Sequence, residues 1–153
     1  MAQEITPTAA AESTAMSSGS WAVLYFDAPT RGEQLRMLMA AAGQEFDDKR
    51  LPKYPKDLDP YRHAAMGDKS PLLFDQCPTV ISPEGVSVSQ VAAAMMYAGT
   101  RLGLLPEPDD DSSEAAAAAN ARALSLTLFS EELRNNCFYK MMMGAIVNKV
   151  SVS

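Results

Sequence analysis

One tyrosine in this sequence stands where a phenol and a guanidinium could act together. Tyr25 lies in the apolar run AVLYF, and five residues later the pattern TRGE marks the start of a helix. Thr30 and Glu33 have capping-box spacing, in which a hydroxyl and a carboxylate each bond a free backbone N–H of the other residue. A strand therefore delivers the Tyr25 hydroxyl, and the helix start delivers Arg31, to one place. Such a pair suits the binding of a peptide that carries a thiolate.

Composition limits the kinds of partner that the protein can have. The chain has 153 residues, enough for one good core. Its net charge of −6 argues against nucleic-acid and acidic-membrane partners, which need basic patches. No apolar run approaches the roughly 20 residues that span a bilayer. Cys77 and Cys137 are far apart without a C-x-x-C motif, so we expect a reducing, cytoplasmic location and no metal site.

Hydrophobic periodicity predicts that strands and helices alternate. An apolar run predicts a strand over residues 21–27, helical spacing predicts a helix over 31–42, and Gly43 ends that helix. A second strand at 45–51 would then pair in parallel with the first through a right-handed crossover. The other predicted elements are short irregular helix at 52–66, strands at 78–82 and 86–88, and a helix at 89–102. The order βαβ followed by ββα is the thioredoxin-like plan, with a four-stranded mixed sheet.

Polar and low-complexity segments predict the domain boundaries. Residues 1–20 are rich in Ala, Ser and Thr and lack the features of a targeting peptide, which predicts a disordered tail. The thioredoxin-like domain would occupy residues 21–104, and the acidic, proline-bearing segment 105–113 would be a linker.

A long helix is predicted to follow this linker. Asp111 and Glu114 offer a second capping pair, and a run of alanines favours helix over residues 112–136. Residues 114–153 would then form a partial all-helical second domain.

Two stretches resemble a known family. YFDAPTRGEQLR (residues 25–36) and KSPLLFDQCP (residues 69–78) resemble the amino-terminal domain of cytosolic glutathione transferases. The likeness is to the tyrosine-type classes and is greatest to the sigma class. It implies an α/β thioredoxin-like domain followed by the first helix of an all-α carboxy-terminal domain. Beyond Asn136 the sequence departs from the family pattern, so we expect a truncated second domain.

The resemblance implies roles for Tyr25 and Arg31. The Tyr25 hydroxyl would hydrogen-bond the thiolate of glutathione and so favour that nucleophilic form over the thiol. Arg31 would hold the loop and assist Tyr25. The alternative is that Arg31 is a solvated arginine in a position where the helix dipole disfavours a cation.

The second stretch implies four further glutathione contacts. Lys69 would pair with the glycyl carboxylate, although a simple loop charge is the alternative. Gln76 would hold the ligand backbone, and Cys77 would offer its main-chain N–H and C=O in the manner of a partner strand. Pro78 would follow a cis peptide bond, and the Cys77 thiol itself would pack without acting as a nucleophile.

The helix that begins near residue 90 implies the site for the γ-glutamyl end. Gln90 and Val91 stand where the family has an amide or acid followed by a hydroxyl, and Val91 lacks that hydroxyl. Glu131 and Glu132 match the region of an acidic residue that the partner subunit supplies, or they are simply solvated. No aromatic residue matches the one that commonly contacts the glycyl end.

Three hypotheses of function follow. The first is a glutathione transferase with glutathione as co-substrate and electrophilic small molecules as partners. Sigma-type isomerase or peroxidase activity is an alternative reaction within this hypothesis. The transferase would be a homodimer if the interface survives the truncation. The second is a non-catalytic binding or structural protein, or an inactive truncated form, on the same scaffold. The third is a thiol oxidoreductase, which the absence of cysteine from residues 27–31 disfavours.

Overall fold

The structure of the protein is a computed structural model. It describes residues 19–53, 55–105, 108 and 112–150, without the side chains of 138, 139 and 141–150. Most of the predicted tail, Asp111 of the predicted cap and much of the predicted linker lie outside the described residues. The elements are β1 (Trp21–Phe26), α1 (Arg31–Ala41), β2 (Phe46–Leu51), a 3-10 helix (Lys56–Tyr61), α2 (His63–Met66), a 3-10 turn (Gly67–Lys69), β3 (Thr79–Ile81), β4 (Ser87–Ser89), α3 (Val91–Arg101) and α4 (Ser113–Val150).

The four strands form one mixed sheet in the order β2-β1-β3-β4. β1 and β2 are parallel, with Trp21 opposite Phe46 and Phe26 opposite Leu51. β1 is antiparallel to β3, and β3 is antiparallel to β4. The predicted βαβ-ββα order and the parallel first pair are therefore confirmed.

The central strand β1 is apolar throughout and is buried on both faces of the sheet. Successive side chains of a strand point to opposite faces. Trp21 and Val23 belong to a cluster completed by α1 and α3, whereas Leu24 belongs to a second cluster. The second cluster is completed by Leu51, Leu58, Tyr61 and Leu72 from β2, the 3-10 helix and the loop before β3. Helices thus cover one face and irregular structure covers the other.

The carboxyl end of α1 is closed by glycine, as the sequence predicts. Gly43 has a φ of 63°, a region that glycine enters at little cost. Its N–H donates to the Ala40 carbonyl at 3.0 Å, and the next N–H, of Gln44, donates to the Met39 carbonyl at 2.9 Å. This pair of bonds satisfies carbonyls that the helix leaves without a partner and turns the chain toward β2.

The predicted capping box at the other end of α1 is wrong. Thr30 is the N-cap residue, but its side chain makes no capping hydrogen bond. The Thr30 hydroxyl lies 2.8 Å from the Tyr25 hydroxyl, and the Glu33 carboxylate binds Arg36 at 2.6 Å. Both side chains are therefore engaged by residues that the local pattern does not take into account.

Arg36 joins α1 to the strands through a nearly buried guanidinium. Its side chain is 6% exposed. Nε donates to Asp48 Oδ1 at 2.8 Å, and Nη1 donates to Glu33 Oε1 at 2.6 Å. Nη2 donates to the carbonyl of Phe26, at the end of β1, at 3.4 Å. One charged group thus holds α1, β1 and β2 together.

Arg50 extends this ion-pair network to the loop after β1. Its Nε donates to Asp48 Oδ2 at 2.7 Å, and its Nη1 donates to Asp27 Oδ1 at 2.9 Å. Asp48 therefore accepts a bond from a different arginine on each of its two oxygens. The loop that leads from Tyr25 to α1 is tied to β2 by this second arginine.

The chain divides into two compact units after Leu102, and α4 lies in the second. α4 has 38 residues, so it continues well beyond the predicted end at Asn136. The Ser112 hydroxyl accepts the Ala115 N–H at 3.1 Å and so caps the helix. Among the described side chains of α4, five large apolar ones are exposed; they are Leu124, Leu126, Leu128, Phe129 and Leu133.

We expect Arg36→Met to lower the free energy of unfolding by about 1–3 kcal/mol, because Asp48 and Glu33 lose charge-assisted bonds to a buried partner. Urea unfolding of the whole chain measures this change. The matched control is Arg101→Met, whose ion pair with Glu84 at 2.7 Å is exposed and contributes at most about 1 kcal/mol. Equal effects of the two substitutions would contradict the structural role given to Arg36.

Candidate functional site

A cavity of about 560 Å³ opens at the carboxyl end of β1. Four of the residues predicted from the sequence line it, namely Tyr25, Arg31, Gln76 and Cys77. The other lining residues are Phe26, Leu58, Arg62, Phe74 and Asp75. Side chains far apart in the sequence are thus gathered at one opening by the sheet.

Tyr25 is held tightly at this cavity. It is 7% exposed, and its ring rests directly on the first turn of α1. A Cβ added at Gly32 would lie 2.3 Å from Tyr25 Cδ1, closer than any side chain can approach. Only glycine at position 32 allows the ring to lie there, with its hydroxyl 2.8 Å from that of Thr30.

Three charged side chains line the cavity. Arg31, at the start of α1, and Arg62, before α2, supply guanidinium groups, and Asp75 supplies a carboxylate. Arg62 Nε lies 3.4 Å from Asp59 Oδ1, which is an ion-pair distance without hydrogen-bond geometry. The cavity therefore combines two cations with one anion.

Asp75 is fixed in place by His63. The backbone N–H of His63 donates to Asp75 Oδ1 at 2.7 Å, and His63 Nδ1 lies 2.9 Å from the same oxygen. The backbone bond, followed by the ring contact, lowers the pKa of Asp75 below its usual range. Asp75 has a φ of 52°, a left-handed conformation that an aspartate tolerates better than most residues. The lone histidine of the chain is thus exposed, as predicted, but it has a structural partner.

The loop before β3 is bound to its surroundings at several points. Ser70 Oγ donates to the Tyr61 carbonyl at 2.6 Å, and the Leu73 N–H donates to Ser89 Oγ at 3.3 Å. Ser87 Oγ donates to the Pro71 carbonyl. These bonds to the 3-10 helix and to β4 hold the segment that leads to Gln76 in a defined position.

Cys77 lines the cavity, but its thiol is unreactive. The Cys77–Pro78 peptide bond is cis, as the family resemblance implies. Burial raises the pKa of the Cys77 thiol to about 11. A thiol that stays protonated at neutral pH is a poor nucleophile, which argues against the oxidoreductase hypothesis.

Gln90 and Val91 occupy different environments. Gln90 is exposed, has a φ of 73°, and its Nε2 donates to Gln76 Oε1 at 3.4 Å. Its side chain therefore extends the polar surface next to the cavity. Val91 is 5% exposed and packs in the core between the sheet and α3, so its side chain is not available to a ligand.

Lys69 is exposed on the 3-10 turn and does not line the cavity. Two other residues considered from the sequence, Glu131 and Glu132, belong to the second unit. Glu131, on α4, accepts bonds from Arg134 Nε and Nη2 at 3.1 Å each, whereas Glu132 is exposed. The sequence analysis missed Arg62 and Asp75 because no local pattern marks them. The one available signal was position, because Arg62 shortly precedes the matched stretch and Asp75 lies within it next to Gln76.

The described part of the chain contains neither a cluster of metal ligands nor a membrane-spanning helix. No three His, Cys, Asp or Glu side chains in that part are grouped as metal ligands. None of its helices is long and apolar enough to cross a bilayer.

Curated proteins similar to this chain are glutathione S-transferases. Glutathione S-transferase alpha-1 of Rattus norvegicus is 36% identical over 87 residues, which are 57% of this chain and 36% of that protein. Glutathione S-transferase A1 of Bos taurus is 38% identical over 80 residues, which are 52% of this chain and 33% of that protein. The chain thus spans about a third of the length of the curated relatives it matches. No family model matches it.

Solved structures share the fold. A nematode-specific glutathione S-transferase of C. elegans has a TM-score of 0.56 at 23% identity, covering 80% of this chain and 53% of that one. A Nu-class glutathione S-transferase from Haemonchus contortus has a TM-score of 0.52 at 23% identity, covering 74% and 49%. These likenesses confirm the predicted fold class, a thioredoxin-like domain followed by a partial helical domain. The curated relatives confirm the resemblance to glutathione transferases.

We expect Gly32→Ala to lower the free energy of unfolding by about 1–3 kcal/mol, because the new methyl group displaces the Tyr25 ring. Alanine in place of glycine within a helix otherwise stabilises by about 1 kcal/mol. A double-mutant cycle with Tyr25→Ala, followed by urea unfolding, separates the two effects. The cost of Gly32→Ala should disappear in the Tyr25→Ala background. A cost that persists there would contradict the packing explanation.

Proposed function

We propose that this chain binds glutathione and acts as a tyrosine-type glutathione transferase. The observation that carries the proposal is that Tyr25 of β1, Arg31 of α1, and Gln76 and Cys77 of the loop before β3 line one cavity. The similarity to curated glutathione S-transferases over somewhat more than half of the chain supports it.

The charges of the cavity complement those of glutathione. The tripeptide carries two carboxylates and one ammonium group beside its thiol. Arg31 and Arg62 offer two guanidinium groups, and Asp75 offers one carboxylate. Guanidinium–carboxylate pairs are among the stronger hydrogen-bonded contacts. A zwitterionic peptide with an excess of carboxylates therefore fits this opening better than a neutral or cationic ligand.

Tyr25 would supply the catalytic interaction. Its hydroxyl donates a hydrogen bond to the glutathione sulfur, which favours the thiolate over the thiol. The thiol proton is released to solvent, and the thiolate forms a bond to carbon of an electrophilic small molecule. The electron pair of the bond that breaks leaves with a displaced anion such as chloride. Tyr25 contributes a hydrogen bond to the sulfur and transfers no proton. Arg31, Gln76 and the main chain of Cys77 orient the peptide, and Gln90 reaches its γ-glutamyl end next to Gln76. Val91 would contribute only through its main chain.

Arg62 replaces Lys69 in this proposal as the cation for the glycyl carboxylate. Arg62 lines the cavity, whereas Lys69 is exposed outside it. Arginine also presents a planar fork of donors that matches a carboxylate, which the ammonium group of lysine does not.

The class, partners and location of the protein are part of the proposal. A sigma-class assignment, with isomerase or peroxidase chemistry, rests on the motif at residues 25–36, whereas the curated relatives named above are alpha-class proteins. We propose electrophilic small molecules as second substrates, no metal, a homodimer and a cytoplasmic location. Assays with prostaglandin and peroxide substrates distinguish the classes.

We expect Tyr25→Phe to lower kcat about 10- to 100-fold, because a hydrogen bond to a charged group contributes about 1.5–3 kcal/mol. Conjugation of glutathione to a chloronitrobenzene measures kcat, and calorimetry should find glutathione binding largely retained. The control is Tyr97→Phe, which removes a buried hydroxyl without a hydrogen-bond partner in the described structure. Turnover that is unchanged in Tyr25→Phe would refute the catalytic role. Binding without turnover in the unaltered chain would favour the non-catalytic hypothesis.

Arg62→Gln should weaken glutathione binding about 10-fold, since a charge-assisted bond to a ligand carboxylate is lost. Lys69→Gln removes the same charge from the neighbouring turn and should leave the dissociation constant nearly unchanged. Calorimetric titration of both variants compares them directly. A larger effect of Lys69→Gln would restore the assignment made from the sequence.

A further inference from the structure

The Thr30 hydroxyl is directed to Tyr25 and not to the helix that it precedes. A threonine at an N-cap ordinarily accepts a backbone N–H of the first turn. Here the side chain makes no such bond, and Oγ1 lies 2.8 Å from the Tyr25 hydroxyl oxygen. The loss of a cap is unfavourable, so the contact with Tyr25 calls for its own explanation.

Both members of this pair are held by the backbone and by packing. The Thr30 N–H donates to the Ala28 carbonyl at 2.8 Å, and the Thr30 carbonyl accepts the Glu33 N–H at 3.0 Å. On the other side, the Tyr25 ring rests on Gly32 and is almost fully buried. The two hydroxyl groups therefore face each other in a fixed geometry at the edge of the cavity.

The direction of the bond between them can change with the ligand. Each hydroxyl has one proton to donate and lone pairs to accept with, so either residue can be the donor. A thiolate is charged and is a stronger acceptor than a neutral hydroxyl for the Tyr25 proton. When Tyr25 donates to the thiolate, its oxygen is left with lone pairs that face Thr30.

We propose that Thr30 is a positioning residue for Tyr25. When the Tyr25 hydroxyl donates a hydrogen bond to the glutathione thiolate, the Thr30 hydroxyl donates a hydrogen bond to the Tyr25 oxygen. The proposal rests on the function proposed above. The Thr30 bond polarises the phenol, because hydrogen bonds in a chain strengthen one another. It also turns the phenol proton toward the cavity and away from the helix. Thr30 does not touch the sulfur and acts only through Tyr25.

The test measures the pKa of the thiol of glutathione bound to the whole chain. The ultraviolet absorbance of the thiolate, recorded across a pH series, gives this pKa. Thr30→Val removes the hydroxyl at nearly constant volume, and Thr30→Ser keeps it. Thr100→Val is the matched control, since the Thr100 hydroxyl only binds its own helix at the Met96 carbonyl. The other ionisable groups that line the cavity, Arg31, Arg62, Asp75 and Cys77, are unchanged in all variants.

We expect Thr30→Val to raise the pKa of the bound thiol by about 0.5–1 unit, the size of one neutral hydrogen bond. Below that pKa, kcat/KM should fall by about 3- to 10-fold. Thr30→Ser and Thr100→Val should retain the value of the unaltered chain. An unchanged thiol pKa in Thr30→Val, or an equal shift in Thr30→Ser, would overturn the role of Thr30 alone. Failure of the unaltered chain to bind glutathione would overturn the proposed function together with it.

Discussion

The contact between the Tyr25 ring and Gly32 is the constraint on which the candidate site depends. β1 ends and α1 begins within a few residues, and the ring fills the space that any side chain at position 32 would occupy. The sheet fixes the Tyr25 backbone, and the helix start fixes its ring. The hydroxyl is therefore positioned by a strand and a helix rather than by a loop. A group that must point at a reacting atom benefits from this kind of preorganisation.

Ion pairs of two arginines hold α1 and the loop after β1 against β2. Arg36 is nearly buried, and it binds side chains of α1 and β2 and a carbonyl of β1. Arg50 and Asp27 then tie the loop that carries Thr30 to β2. A buried ion pair brings little net stability, but the loss of one partner is costly. The network therefore serves mainly to select one arrangement of helix and strands, and with it one position of the cavity wall.

The opposite wall of the cavity is built by different means. The segment before β3 has little regular structure. It is held by a carbonyl of the 3-10 helix, a backbone N–H of α2 and a side-chain hydroxyl of β4. Asp75 lines the cavity, and His63 holds its carboxylate through a backbone N–H and a ring nitrogen. The site thus joins a wall of regular elements, which carries Tyr25, to a wall of cross-linked loop, which carries Gln76 and Cys77. In the proposed function, the first wall supplies the catalytic Tyr25 together with Arg31, and the second wall supplies further groups that orient the peptide.

The sequence by itself determined the order of strands and helices, the glycine that ends α1 and the position of Tyr25. These follow from local periodicity and local backbone preference, which act over a few residues. Only the tertiary structure decided how polar side chains are used. Thr30 and Glu33 have the spacing of a cap, yet the Thr30 hydroxyl contacts that of Tyr25, and Glu33 binds Arg36 one turn along the same helix. Val91 joined the core, Lys69 stayed outside the cavity, and Arg62 and Asp75 entered it. A side chain's partner is decided by which groups the packed elements bring within about 3 Å of it, since hydrogen bonds weaken steeply beyond that distance. Spacing along the chain does not encode that distance.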